Sequence, residues 1–311
     1  MSNKISKGFI PVMLTPFNIN GEIDFNGLTK LTEFYIKSGA SGLFSNCLSG
    51  EMFELTEQER LMVVKHVVNV TGGAVHVVAS GTFGGDIQSQ ADFVKRIYET
   101  GVNTVIILTN MLADQQQADE VFNDNMFKLL DLTDQIPMGF YECPDPYKRL
   151  ISPKQLKLFV GTKRIIYLKD TCLNLEQIKL KIEAVKGQDF GLYDAYIGHA
   201  VASLRAGASG LSCIQGNYWP EFIVWLCQNY DNASLKTEVD EVQQFFTDNM
   251  EVMHHVYPVT AKYYLQKRGL PITTFTRRQV GEFTEGIKYK IGKLYTDYID
   301  LVNHLELNLK I

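Results

Sequence analysis

The sequence predicts a (β/α)8 barrel followed by a helical extension, and three observations carry that prediction. Eight short, apolar strand candidates recur within the first two thirds of the 311 residues. Amphipathic helical patterns with recognisable caps lie between most of them, as a parallel sheet covered by helices requires. The first strand candidate runs into Leu14-Thr15-Pro16-Phe17 instead of a G-x-G-x-x-G turn, which disfavours an open dinucleotide-binding sheet.

The strand candidates begin near Gly8, Gly42, Val75, Asn103, Met138, Ile165, Phe190 and Gly210. After the first, Asp24 is placed to cap a helix on which Leu28, Leu31 and Tyr35 recur at helical spacing, with Gly39 as its stop. After the second, Thr56 and Glu59 form a capping box ahead of Leu61, Val64 and Val68. After the sixth, Ile178, Ile182 and Val185 mark a buried helical stripe. From about Asn232 strand signals cease, and 238–250, 259–267 and 283–309 read as three helices, the last with Ile287, Ile291, Leu294, Tyr298 and Val302 in register. The expected division is a barrel over 1–230 and a helical extension over 231–311. No Pro- or Ser-rich linker separates them, so the extension is expected to pack on the barrel.

Composition bounds the function. With 45% hydrophobic and 21% charged residues the chain is an ordinary globular one. A formal charge of −5 and no polybasic run point away from nucleic acid and from anionic membranes. No stretch approaches a membrane span, and the amino terminus lacks the apolar run of a signal peptide. Five cysteines without a CxxC pair argue against a zinc site and a disulfide framework, so reduced thiols and a cytoplasmic location are expected.

In such a barrel the chemistry sits where strands end. Lys169 terminates the apolar run Ile165–Leu168, and Tyr141 ends the preceding strand candidate, so the two are expected to be neighbours. Desolvation by barrel walls lowers the pKa of an amine and leaves a neutral fraction nucleophilic toward a ketone. A phenol beside it can move protons.

Five stretches then come in a recognisable order: Cys47-Leu48-Ser49-Gly50-Glu51, Leu55-Thr56-Glu57-Gln58-Glu59-Arg60, Tyr141-Glu142-Cys143-Pro144, Leu168-Lys169-Asp170-Thr171 and Gly207-Ala208-Ser209-Gly210-Leu211. Over essentially the whole chain the sequence resembles the dihydrodipicolinate synthase / N-acetylneuraminate lyase family. The resemblance implies that Lys169 forms an imine with pyruvate or another 2-keto acid and that Tyr141 relays protons. It also implies that the Ser49 hydroxyl and the N–H groups around Ser49 and Gly50 hold the keto-acid carboxylate. Neither metal nor dissociable cofactor is implied, and the expected assembly is a homotetramer or homodimer.

Four departures from the family pattern concern the second substrate. Leu48 stands where the family has a hydroxyl, and Thr109-Asn110-Met111-Leu112 replaces its Thr-Pro-Tyr-Tyr stretch. In the Gly-Tyr-Asp-Glu motif of the sialic acid lyases only Asp194 of the acidic pair remains, and Ile214 falls at their strand-eight serine. An insertion, Asp145-Pro146-Tyr147-Lys148-Arg149, brings two cations near the mouth, of which the Arg149 fork better suits a second carboxylate.

The expected reaction is cleavage or formation of a 2-keto(-3-deoxy) acid, with pyruvate and an aldehyde as partners. Dihydrodipicolinate synthase, a keto-deoxy-acid dehydratase and a non-catalytic keto-acid binder are the alternatives. Cys47, Cys143, Cys172 and Cys213, all at strand ends, are read as packing residues. His199, His254 and His255 lack metal-ligand spacing, and Glu51 is expected to bond within its own loop.

Overall fold

The computed structural model describes residues 7–307 and 309. Eight parallel strands follow one another around a barrel: β1 (Gly8–Phe9), β2 (Gly42–Ser45), β3 (His76–Ser80), β4 (Thr104–Leu108), β5 (Met138–Tyr141), β6 (Ile165–Asp170), β7 (Gly191–Asp194) and β8 (Gly210–Leu211). Helices α1 (Phe25–Lys37), α2 (Glu57–Thr71), α3 (Ile87–Glu99), α4 (Asp119–Leu132), α5 (Pro153–Val160), α6 (Leu175–Ala184), α7 (Ala200–Arg205) and α8 (Pro220–Asn229) form the outer layer. The ring closes where Val12 bridges Phe44, with Met13 N–H donating to Phe44 O at 3.0 Å and Phe44 N–H to Pro11 O at 2.9 Å.

The first strand is shorter than the apolar run that begins it, because Pro11 has no N–H for the ladder. The capping chemistry is in place: the Asp24 carboxylate accepts from Gly27 N–H, and Thr56 and Glu59 satisfy each other's backbone donors. Val185 lies just past the end of α6 instead of inside it.

Two apolar layers result. One fills the space between strands and helices; the other, including Ile10, Val12, Phe44, Val78, Ile106 and Tyr167, fills the barrel interior. Tyr167 stacks on Tyr193 with ring centroids 4.9 Å apart, an arrangement worth about 0.5–1.5 kcal/mol beyond the area buried. Gly139 admits the Tyr167 ring: a β-carbon there would lie 2.6 Å from Tyr167 Cβ.

Beyond the barrel come α9 (Lys236–His254), α10 (Val259–Lys267) and α11 (Glu285–His304). The first is longer than its apolar pattern indicates, and the last is shorter at both ends. Buried polar contacts tie this tail to the barrel. Arg268 pairs with Glu221 at 2.9 Å, and Tyr298 donates to the same carboxylate at 2.5 Å. Lys262 pairs with Glu51 at 2.7 Å, both side chains being fully buried. Nearer the surface, Arg277 grips both oxygens of Glu59 at 2.9 and 2.7 Å.

That last clasp has a pH signature. Hydrogen bonding by the Arg277 fork holds the Glu59 carboxyl at about 2, below its ordinary 4.5. The native state therefore binds fewer protons than the unfolded chain between those values, and the clasp's contribution is lost as pH falls from 4.5 toward 2. Glu59→Gln is expected to flatten the dependence of unfolding free energy on pH in that window. An unchanged slope in denaturant titrations would refute it.

Candidate active site

The mouth of the barrel is built from strand ends and the loops after them. Parallel pairing places Tyr141 opposite Lys169, and Lys169 opposite Tyr193. Alternation along β6 sends Tyr167 and Lys169 inward and Leu168 and Asp170 outward. The Lys169 ammonium nitrogen lies 4.2 Å from the Tyr141 ring centroid and 5.8 Å from that of Phe44. Lys169 is 4% exposed.

Burial pushes the Lys169 pKa down, opposed by the thiols of Cys47, Cys143 and Cys213. Those thiols are themselves desolvated: Cys143 is pushed up to about 11, Cys213 to about 12, and Cys47 is raised. They are neutral at physiological pH, so the groups that bear on the amine supply no anion. An uncompensated buried ammonium is costly, and the neutral amine is correspondingly favoured. Burial, and after it the neighbouring Cys143 and Cys47, raises the Tyr141 phenol well above 10. It is a proton donor until a substrate changes its surroundings.

A short 3-10 turn, Leu48–Gly50, follows β2 at the same end. Gly50 is required by close approach, since a β-carbon would lie 2.9 Å from Met13 O. Its N–H closes the turn onto Cys47 O at 2.9 Å. Left-handed residues bracket the turn, Asn46 at φ 50° and Glu51 at φ 59°. Each is fastened by its side chain: Asn46 donates to Ser80 O at 3.0 Å, and Glu51 accepts from Lys262, Thr276 Oγ1 and the N–H groups of Arg277 and Arg278. Glu51 thus bonds the tail, not its own loop as expected.

Leu48, Phe53, Phe83, Met111 and Ile214 are half-buried against the interior cluster and give the mouth an apolar rim. Ile214 belongs to that rim, but the strand-eight hydroxyl turned toward the interior is Ser212, 3.5 Å from Tyr167 OH.

Two expectations are corrected. Asp194 pairs in register with Asp170 and so lies on the opposite face of its strand from the residue that meets Lys169. It is fully buried, accepts from Tyr196 N–H at 2.8 Å, and has its other oxygen 2.9 Å from His199 Nε2. Arg149 has both fork nitrogens occupied, by Asp119 at 3.0 Å and by the carbonyls of Asp114 and Gln117 at 2.8 and 2.7 Å. Lys148 donates to Thr171 O. Arg149 therefore fastens the inserted loop and presents no free fork to a substrate carboxylate, whereas the Lys148 ammonium spends one of its three donors on that carbonyl.

Behind Tyr141 and Lys169 lies a charge cluster that sequence reading did not assemble. Lys181 sits 2.6 Å from Glu142 Oε1 and 2.6 Å from Asp170 Oδ2, all buried. Glu142 also accepts from the N–H groups of Ile151 and Thr171. The signal was present: a carboxylate follows Tyr141 and another follows Lys169, and alternation puts both on the outward face of adjacent strands.

Comparison with known proteins agrees with this architecture. Residues 5–297 match the model of the dihydrodipicolinate synthetase family. A 4-hydroxy-tetrahydrodipicolinate synthase of Oceanobacillus iheyensis is 24% identical over 263 residues, 85% of this chain and 88% of that one. The Bacillus subtilis enzyme of the same name is 24% identical over 261 residues, 84% and 88% of the two chains. Among solved structures, YagE of E. coli K12, a prophage protein of the dihydrodipicolinic acid synthase family in complex with pyruvate, superposes with a TM-score of 0.83 at 20% identity, covering 97% of this chain and 99% of that one. A monomeric dihydrodipicolinate synthase variant gives 0.86 at 20% identity, covering 95% and 97%. At these identities the solved structures speak to the fold alone.

Proposed function

This chain belongs to the dihydrodipicolinate synthetase family, and from that premise we propose that it is a class I lyase that makes and breaks a carbon–carbon bond through an imine on Lys169. The observation that carries the reading is the amine itself: buried, depressed in pKa, and within 4.2 Å of the Tyr141 ring with only neutral thiols bearing on it.

In the cleavage direction the neutral amine adds to the ketone of a 2-keto acid, and the carbinolamine loses water with Tyr141 supplying the proton. The Tyr141 phenolate takes the proton of the substrate hydroxyl next to the breaking bond, the iminium draws the electrons of that bond, an aldehyde leaves, and an enamine of pyruvate remains. Protonation of its carbon and hydrolysis of the imine release pyruvate and restore the amine. Synthesis runs the same steps backwards. The iminium is the electron sink, so the chemistry calls for no cofactor. The carboxylate is assigned to the Ser49 hydroxyl and the Ser49 N–H, since the Gly50 N–H is held by Cys47 O at 2.9 Å.

The aldehyde faces Leu48, Met111 and Ile214, a rim without a hydroxyl to give; a partner with an apolar portion beside its carbonyl fits it best. A second reading, the synthase activity in the names of the curated relatives, rests on their coverage of most of this chain. Condensation with aspartate semialdehyde distinguishes the two. We assign a homo-oligomer to the chain, supported by the exposed Leu158 and Leu180 on its outer helices, and a cytoplasmic location, supported by five free cysteines.

Borohydride added with pyruvate is expected to leave one 1-carboxyethyl group on the protein, mapped by peptide mass spectrometry to Lys169. An unmodified protein, or modification elsewhere, refutes the proposal.

A further inference from the structure

We infer that Arg278, carried over the barrel mouth by the tail, is a positioning residue that sets the gap between the 48–50 turn and the loop after β5, and with it the hold on the keto-acid carboxylate. The inference rests on the imine reading above and on the carboxylate seat at Ser49, and adds to them a residue from outside the barrel.

Arg278 is joined to both sides of the mouth. Its backbone N–H donates to Glu51 Oε2 at 3.0 Å, and its Nη2 donates to Asp145 Oδ2 at 2.6 Å. Glu51 directly follows the 48–50 turn, and Asp145 lies in the loop that follows Tyr141. In the ring of strands β3 and β4 stand between β2 and β5, so a side chain that reaches from one loop to the other crosses the mouth. Its neighbour Arg277 runs the opposite way. That guanidinium meets Gly21 O, Glu54 O and the Glu59 carboxylate, all on the side of β1 and β2.

Both ends of this span are stiff, and the tie between them is soft. At one end Glu51 is fully buried; Thr276 Oγ1 and the N–H groups of Arg277 and Arg278 converge on its Oε2, while Lys262 takes Oε1. At the other end the Asn110 amide donates to the carbonyls of Cys143, Asp145 and Tyr147 at 3.0, 2.8 and 2.6 Å. The turn with 276–278 makes one body, and the loop after β5 makes another. Among the described residues no other hydrogen bond or ion pair joins the two. The Arg278 and Asp145 side chains are 31% and 40% exposed, so the tie is of a strength that salt screens. Lys169 stands beside Tyr141 on the second body's side, and Ser49 belongs to the first. The pair therefore sets how far the carboxylate seat lies from the amine that binds the keto carbon. Its loss leaves every strand in place and frees one side of that gap.

Borohydride trapping reads the keto-acid site without knowledge of the aldehyde. Arg278→Met is expected to raise the pyruvate concentration for half-maximal trapping by about threefold, the scale of a part-exposed ion pair. The maximal trapping rate should change by less than about twofold. Asp145→Ala supplies the sign that decides. A positioning pair predicts the same rise, whereas an Arg278 that touched pyruvate itself would be released by that variant and lower the half-saturation, which overturns the inference. The double variant should be no worse than either single one. Acetone forms the imine but has no carboxylate, and parent and variants should trap it alike to within about twofold. The losses with pyruvate should close as sodium chloride is raised from about 0.05 to about 0.5 M, and both variants should melt within about 3 °C of the parent. Losses that salt does not close, or that acetone shares, mark damage to the structure and overturn the inference. A parent protein that traps nothing overturns the imine reading and this one with it, whereas a parent adduct indifferent to both substitutions overturns this one alone.

Discussion

Lys169→Met should abolish carbon–carbon bond cleavage, lowering turnover on the order of 10^4-fold or more, the scale on which removal of a covalent nucleophile is felt. It should not lower the melting temperature. Methionine has nearly the reach of lysine and carries no charge, so it fills the same space between Phe44 and Tyr141 without the desolvation cost of an ammonium that lacks an anion. The sign of the linkage agrees. A lysine depressed in the native state makes that state bind fewer protons than the unfolded chain, so its burial penalises folding at low pH and is relieved as pH rises. The variant should therefore gain most over the parent in acid. Calorimetry with an assay of keto-acid cleavage checks both halves; a variant that is inactive because it melts early would contradict the account.

The same substitution at Lys181 should do the opposite. Lys181 is also buried, but against burial the charges of Glu142 and Asp170, 2.6 Å away, hold its ammonium above the ordinary value. Lys181→Met leaves two buried carboxylates facing each other and is expected to destabilise by about 3–5 kcal/mol, a fall in melting temperature on the order of 10 °C for a chain of this size. Burial and then Asp170 already push Glu142 up to about 7. A carboxyl raised in the native state makes that state bind more protons, so stability falls as pH climbs from 4.5 to about 7. Without Lys181 the fall should steepen. Urea titrations across that range test it, and a variant as stable as the parent at pH 7 would refute the role given to the cluster. Loss of activity in Lys181→Met would follow from slippage between β5 and β6, not from missing chemistry.

These two lysines mark what could be read from sequence. That Lys169 and Tyr141 are neighbours was legible because each closes an apolar run, and in a parallel barrel neighbouring strand ends are neighbouring side chains. The barrel itself was legible for the same reason, through local periodicity and caps. Face assignment failed for Asp194, which is one residue beyond the inward Tyr193; Ile214 does line the mouth, but the interior-facing Ser212, two residues before it, went unnoticed. Arg149 was misread because its partners, Asp119 and two carbonyls of the preceding loop, are brought to it only by folding. Lys181 looks like any helical lysine until α6 lies against β5 and β6. The partners of Glu51 lie still further away in the chain, and nothing local announces them.

The hold of the tail on the 48–50 turn reaches into how the protein is made. Glu51, in a left-handed conformation, is satisfied by Lys262, Thr276 and the backbone of Arg277 and Arg278. A nascent chain that has left the ribosome as far as β8 owns every strand, Lys169 and Tyr141. Yet it lacks the residues that hold the Glu51 side chain beside the 48–50 turn. The order of synthesis therefore places the proposed nucleophile first and the fastening of the 48–50 turn last.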